Sequence, residues 1–154
     1  DAIGRIREAG VRISKLHLSA ALKVTPSDDA RAQLKQFEED VYLHQVVERM
    51  PDGSLLRHRD LDGVLSTATE AEEWRIHFHI PLHSPDTDWF ASTRDHIYGV
   101  LDLVKADPAL CAHLEMETYT WEVLPAEMKN RDVVGQLAGE YDWTLSQLRA
   151  RDLA

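Results

Sequence analysis

Apolar residues in this chain recur with two periods, near three to four and near two, and the switches between them mark out its elements. Ile3, Ile6 and Ala9 repeat at helical spacing, and Gly10 stops that helix. Val11 to Ser19 then alternates like a strand. Pro26-Ser27-Asp28-Asp29 opens a helix that runs through Leu34 and Phe37, with Ser27 or Asp28 as its cap. Two apolar runs, Val41 to Val47 and Leu55-Leu56, flank Pro51-Asp52-Gly53-Ser54, and Asp-Gly between such runs predicts a hairpin. Further on the pattern predicts a helix over 60–73 and a strand from Trp74 to Ile80, ended by Pro81. A helix over 92–104, capped by Ser92 or Thr93, follows, then a strand from Leu114 to Tyr119 and a final helix from Asp132 to Arg149.

Three strand-then-helix units in series imply parallel strands joined by crossover helices. The expected fold is therefore α/β, the C-terminal portion (about strands six to eight) of a (β/α)₈ TIM barrel, with the hairpin as an insertion. All of 1–154 is read as one partial barrel domain, a piece of a longer chain, since it opens in mid-helix on Asp1-Ala2-Ile3-Gly4. Three strands alone leave two open sheet edges, so self-association is expected. The competing architecture is a small self-contained open α/β sandwich.

Composition narrows the function classes. The 154 residues are 44% hydrophobic and 29% charged, an ordinary globular balance. A net charge of -10 makes a nucleic-acid partner unlikely, because phosphate backbones are bound by clustered Lys and Arg. No run reaches the length of a membrane span, and no signal peptide opens the sequence. The lone Cys111 fits a reducing compartment, so a cytoplasmic location is expected.

Chemistry in parallel α/β folds sits at the C-terminal ends of strands. There the chain places His17, then His77 and His79, then Glu115 and Glu117. His77 and His79 are two apart and share a face, as do Glu115 and Glu117. Imidazoles and a carboxylate from neighbouring strands suit a divalent metal: Zn, Mn or Fe. His17, His77, His79 and Glu117 are the candidate ligands, and Glu115 and His77 the candidate acid/base residues. Singly, each has an ordinary reading as a satisfied or surface residue. His44 and Gln45, on opposite faces of one strand, and His58 have weaker claims. His83 and His96 read as loop and helix-surface residues. Trp89, Tyr119 and Trp121 lie near strand tops and can wall a pocket or merely cover it.

At these residues the sequence resembles the xylose-isomerase-like TIM-barrel superfamily of sugar isomerases, epimerases and endonuclease IV-type enzymes. The resemblance rests on His17 in His17-Leu18-Ser19-Ala20, the pair His77 and His79, and Glu117 in Leu114-Glu115-Met116-Glu117-Thr118. His77 and Ala20 stand where the endonuclease class carries aspartate, which argues against a three-metal phosphodiester site. A closer likeness is to the barrel proteins of the metabolite-traffic EboE group, through residues 15–22, 42–47, 74–82 and 113–121. The resemblance implies a metal-dependent isomerase or epimerase acting on a small polyol-like metabolite, connected with metabolite traffic. The alternatives are a non-catalytic metabolite-binding protein associated with transport, and an endonuclease IV-like phosphodiester hydrolase.

Overall fold

The computed structural model describes residues 2–39, 41–117, 121–124, 129 and 132–154. It is a mixed α/β structure with one small parallel sheet and one larger antiparallel sheet. Helix α1 (Ala2–Glu8) ends before Gly10, whose φ of 73° is the left-handed conformation expected past a helix end. Strand β1 (Leu16–Leu18) follows, and after Ser19 the chain continues as β2 (Ala20–Val24) in the other sheet. Helix α2 (Asp28–Leu34) starts as predicted: Ser27 is the cap, its Oγ accepting from Ala30 N at 3.0 Å. A 3₁₀ turn (Lys35–Phe37) then buries Phe37.

The hairpin is β3 (Val46–Arg49) and β4 (Leu55–His58), closed around Gly53 at φ 82°. It is no insertion beside the sheet. β3 pairs with β5 (Glu73–Ile80), and the five-stranded order is β4-β3-β5-β2-β6, where β6 is Ala91–Ser92. Of the helix predicted over 60–73 only one turn forms, α3 (Asp62–Leu65), and Ser66 to Thr69 leave it for a loop. Hydroxyl-rich stretches offer the backbone side-chain partners outside a helix, and Thr69 Oγ1 does so for Ala71 N. Helix α4 (Arg94–Ala106) buries Ile97, Leu101 and Val104. Strand β7 (Leu114–Met116) pairs with β1, a 3₁₀ turn covers Trp121–Val123, and α5 (Val133–Arg149) is capped by Asp132. The predicted strand beyond Glu117 falls on 118–120, outside the described residues.

The pattern predicts three parallel strands; among the described residues only β1 and β7 pair in parallel, with Leu16, His17 and Leu18 opposite Leu114, Glu115 and Met116. β5 runs antiparallel to both β2 and β3. The reason is the additional strand Ala20–Val24, which alternates buried and half-buried residues and takes the place of a helical crossover. The core lies between this sheet and the helices: Leu22, Val46, Trp74, Ile76 and Phe78 are fully covered, and Phe37 meets Phe78 edge to face at 4.8 Å. Among the described residues no helix is long and apolar enough to cross a membrane.

Candidate functional site

The histidine pair owes its position to an irregular strand. Along β5, Trp74, Ile76 and Phe78 point into the core, leaving His77 and His79 on the opposite face. The β2–β5 ladder slips here: Ala21 pairs with His79, but Leu22 already pairs with Ile76. Such bulges re-aim side chains and recur beside functional sites. His77 N–H bonds instead to the Gln45 carbonyl at 2.8 Å, and the two imidazoles approach to 3.1 Å between their Nε2 atoms.

The His77 tautomer follows from its partner. Gln45 Oε1, 2.9 Å from His77 Nδ1, can only accept, so His77 Nδ1 carries the proton. The Nε2 atom of His77 faces the Nε2 atom of His79, and the other ring nitrogen of His79, Nδ1, is turned toward Glu117. Burial pushes the His79 imidazole below its usual pKa; the Glu117 carboxylate acts to raise it and His77 to lower it further, and burial wins.

His17 and Glu117 arrive from the parallel pair. Glu117 N–H bonds to the Leu18 carbonyl at 3.2 Å, just past the end of β7, and two residues from Glu115 its side chain returns to the face of His17. Glu117 Oε2 lies 3.8 Å from His17 Nδ1 and 3.9 Å from His79 Nδ1. One carboxylate oxygen thus faces two imidazole nitrogens from two different sheets. Donor atoms around a tetrahedral metal with bonds near 2.1 Å stand about 3.4 Å apart. The set is roughly half an ångström too wide. Among the described residues no three His, Cys, Asp or Glu side chains already stand at ligating spacing. The His17 and Glu117 side chains, 49% and 36% exposed, are free enough to close that gap, whereas His79 is fixed by burial.

The geometry divides the other candidates. His77 touches the opposite nitrogen of His79 from the one that faces Glu117, so it orients His79 and does not share one ion with Glu117. Glu115 points to Lys15, Nζ to Oε2 2.5 Å, and that lysine holds its carboxyl below the usual range. It is a surface ion pair near His17, poorly matched to proton abstraction.

The weaker candidates prove to be structural, and sequence patterning missed their partner Glu48. Gln45, a minor candidate, is what orients His77. His44 is buried and stacks on Phe78 at 5.0 Å. His58 Nε2 bonds to Glu48 Oε2 at 2.9 Å, and Glu48, deep in the sheet, also accepts from Trp74 Nε1 at 2.7 Å. His83 lies in a loop as expected, half-buried beside a cavity, and His96, exposed at the start of α4 as expected, contacts Arg75. Trp89 does wall that cavity; Trp121 packs on the core, and Tyr119 lies outside the described residues. The chain matches no protein-family model, no curated protein and no solved structure.

Proposed function

We propose that the chain is part of a divalent-metal-dependent isomerase- or epimerase-like protein for a small polyol- or sugar-like metabolite, with a link to metabolite traffic. The finer fold reading, the C-terminal strands of a TIM barrel, belongs to the same proposal. It is supported by the sequence blocks around the histidines and by the parallel β1–β7 pair. The observation that carries the function is the approach of His17 Nδ1 and His79 Nδ1 to one oxygen of Glu117.

Two histidines and a glutamate are a ligand set for zinc, manganese or iron, with positions left over for substrate oxygens. When bound, such an ion polarises a carbonyl and its neighbouring hydroxyl, easing proton movement at the adjacent carbon. His17, His79 and Glu117 would hold it. His77 and Gln45 keep the His79 ring turned to that side, and such orienting bonds sharpen ligand basicity. Self-association of the chain is part of the reading, because β4 is an open sheet edge.

The test is a zinc or manganese titration followed through the histidine side-chain resonances. Binding should perturb His17 and His79 together and weaken at least tenfold in Glu117→Gln. With three protein ligands and half-exposed side chains, retention after dialysis should be well under one equivalent. Binding that is unchanged in Glu117→Gln and in His79→Ala would sink the assignment.

A further inference from the structure

The chain just ahead of β3 leaves one histidine unsatisfied. His44 is 3% exposed, its ring stacked on Phe78 and its backbone N–H held by Asp60 Oδ1 at 3.0 Å. Packing uses the face of this ring and leaves its nitrogens. Buried side-chain nitrogens are ordinarily hydrogen-bonded. These find no such bond among the described residues: Nδ1 is enclosed 4.0 Å from Asp60 Oδ1, and Nε2 stands 3.7 Å from Glu39 Oε1, both too far.

The mismatch is electrostatic as well as geometric. Burial keeps the ring neutral at pH 7 against the pull of both carboxylates, so it has one N–H between two acceptors. Whichever nitrogen holds that proton, the other turns its lone pair on a carboxylate oxygen. Stacking on Phe78 keeps the ring from swinging away. What fits is a donor from outside that bonds to a ring nitrogen and a carboxylate oxygen together. Two atoms 3.7 Å apart leave space for one ammonium nitrogen about 2.9 Å from each, an ordinary hydrogen-bond length.

The surroundings favour a charged donor. Glu38, Glu39, His44, Asp60 and Asp62 line a cleft of about 390 Å³. The Glu39 and Asp60 side chains are 19% and 31% exposed, so solvent reaches both. Four carboxylates around one cleft repel one another, and a cation between them relieves the repulsion. One metal ion is a poor match, because Glu39 and Asp60 face different nitrogens of the same ring and cannot join that ring around a single ion. A flexible chain carrying two or more ammonium groups meets both.

We propose that this cleft binds a linear alkyl polyamine, with one ammonium between His44 Nε2 and Glu39 and a second reaching Asp60 and Asp62. Binding selects the tautomer that turns Nδ1–H toward Asp60. None of the lining residues belongs to the His17, His79 and Glu117 set, so the inference does not rest on the metal reading.

The experiment uses the whole chain with chelator present, near neutral pH and at constant ionic strength. The His44 ring resonances are followed while spermidine, N-acetyl-lysine amide, butanediol or magnesium chloride is added, up to roughly 50 mM, since small flexible ligands bind in the millimolar range. Spermidine should shift them saturably and butanediol should not. N-acetyl-lysine amide, whose single ammonium is what a partner protein's side chain would offer, should bind at least tenfold more weakly than spermidine. Asp62→Asn, at an exposed position, should fold normally and weaken spermidine several-fold, and Glu39→Gln should weaken it tenfold or more. His79→Ala should leave the affinity unchanged, which separates a failure here from a failure of the metal proposal. No saturable shift with spermidine, an equal shift with magnesium or butanediol, equal affinity for the single ammonium, or unchanged affinity in both carboxylate variants would overturn the proposal.

Discussion

The least conventional residue in the core is Glu48. It sits on β3 facing inward, where a carboxylate is costly unless its oxygens are filled. Burial alone would raise its pKa, but donors from His58, Thr69 and Trp74 outweigh it and hold the carboxyl below its usual range. Trp74→Phe removes the 2.7 Å indole bond and part of the ring, so it should cost about 3 kcal/mol in denaturant unfolding. Adding Glu48→Leu should cost less than the sum of the two single changes, because an unpaired buried partner is then no longer left behind. Strict additivity would mean the pair is not coupled.

His44 makes a second residue-scale prediction. Its Nε2 lies 3.7 Å from Glu39, its Nδ1 4.0 Å from Asp60, and neither is a hydrogen bond. Burial lowers its pKa from 6.5, against the pull of Glu39 and Asp60 and with a small push from His77. The unfolded chain therefore takes up the proton more readily than the folded one. Stability from the neutral imidazole is fully present above the unfolded value and is lost as pH falls below 6.5 toward the lower folded value. Thermal midpoints should fall across that window, and the fall should be shallower in His44→Leu. His79, shifted the same way by burial, accounts for a remaining slope. A slope identical in the variant would show that His44 keeps its proton affinity on folding.

At the scale of elements, helices with their own end signals were legible. Ser27, one of the two caps the sequence offers, caps α2, and Asp132, expected as the first residue of the last helix, is its cap, through bonds of 3.0 and 2.7 Å. Ser27→Ala should cost about 1 kcal/mol, read by chemical denaturation, while Ser27→Asp should cost almost nothing. At α4 the expected hydroxyl cap is only half right: Thr93 Oγ1 accepts from Ala21 N in β2, and Ser92 Oγ serves Arg94 N. Strand identity was legible for the same local reason, since alternation on β5 puts Trp74, Ile76 and Phe78 inside. Strand direction was not. Whether β5 pairs in parallel or antiparallel is decided by β2, whose short run of Ala20 to Val24 carries little local signal. The candidate site was half legible: shared faces bring His17, His79 and Glu117 together, but the slip in register and Gln45's hold on His77 arise only when β2, β3 and β5 meet. The buried polar stripe of α5, Gln136, Glu140 and Thr144, reads in sequence as a solvent face, and only packing against Leu82 reveals its side.

At the scale of the whole molecule, the open question is what meets the free edge of the five-stranded sheet. One edge is β6, two residues long, a poor template for another strand. The other is β4, where Leu55 and Leu56 point to opposite faces and are 47% and 48% exposed. Exposed apolar residues on an unpaired strand invite pairing with a second copy, and the simplest closed solution is a two-fold dimer joining β4 to β4. Against this stands the net charge of -10 on each chain. Like-charged chains repel over a distance set by salt, about 10 Å at ~0.1 M and about 3 Å at ~1 M. The two effects give a signed expectation. Sedimentation equilibrium over a dilution series should show a reversible dimer that tightens as salt rises from about 0.05 to 0.5 M, the opposite of an ion-paired interface. Leu56→Lys adds a charge on the edge itself, a device by which natural sheets block such pairing, and should shift the chain to monomer at both salt concentrations. A wild-type chain that stays monomeric at high concentration in high salt would mean that β4 is protected by its own twist. The self-contained sandwich would then be the better description of the molecule.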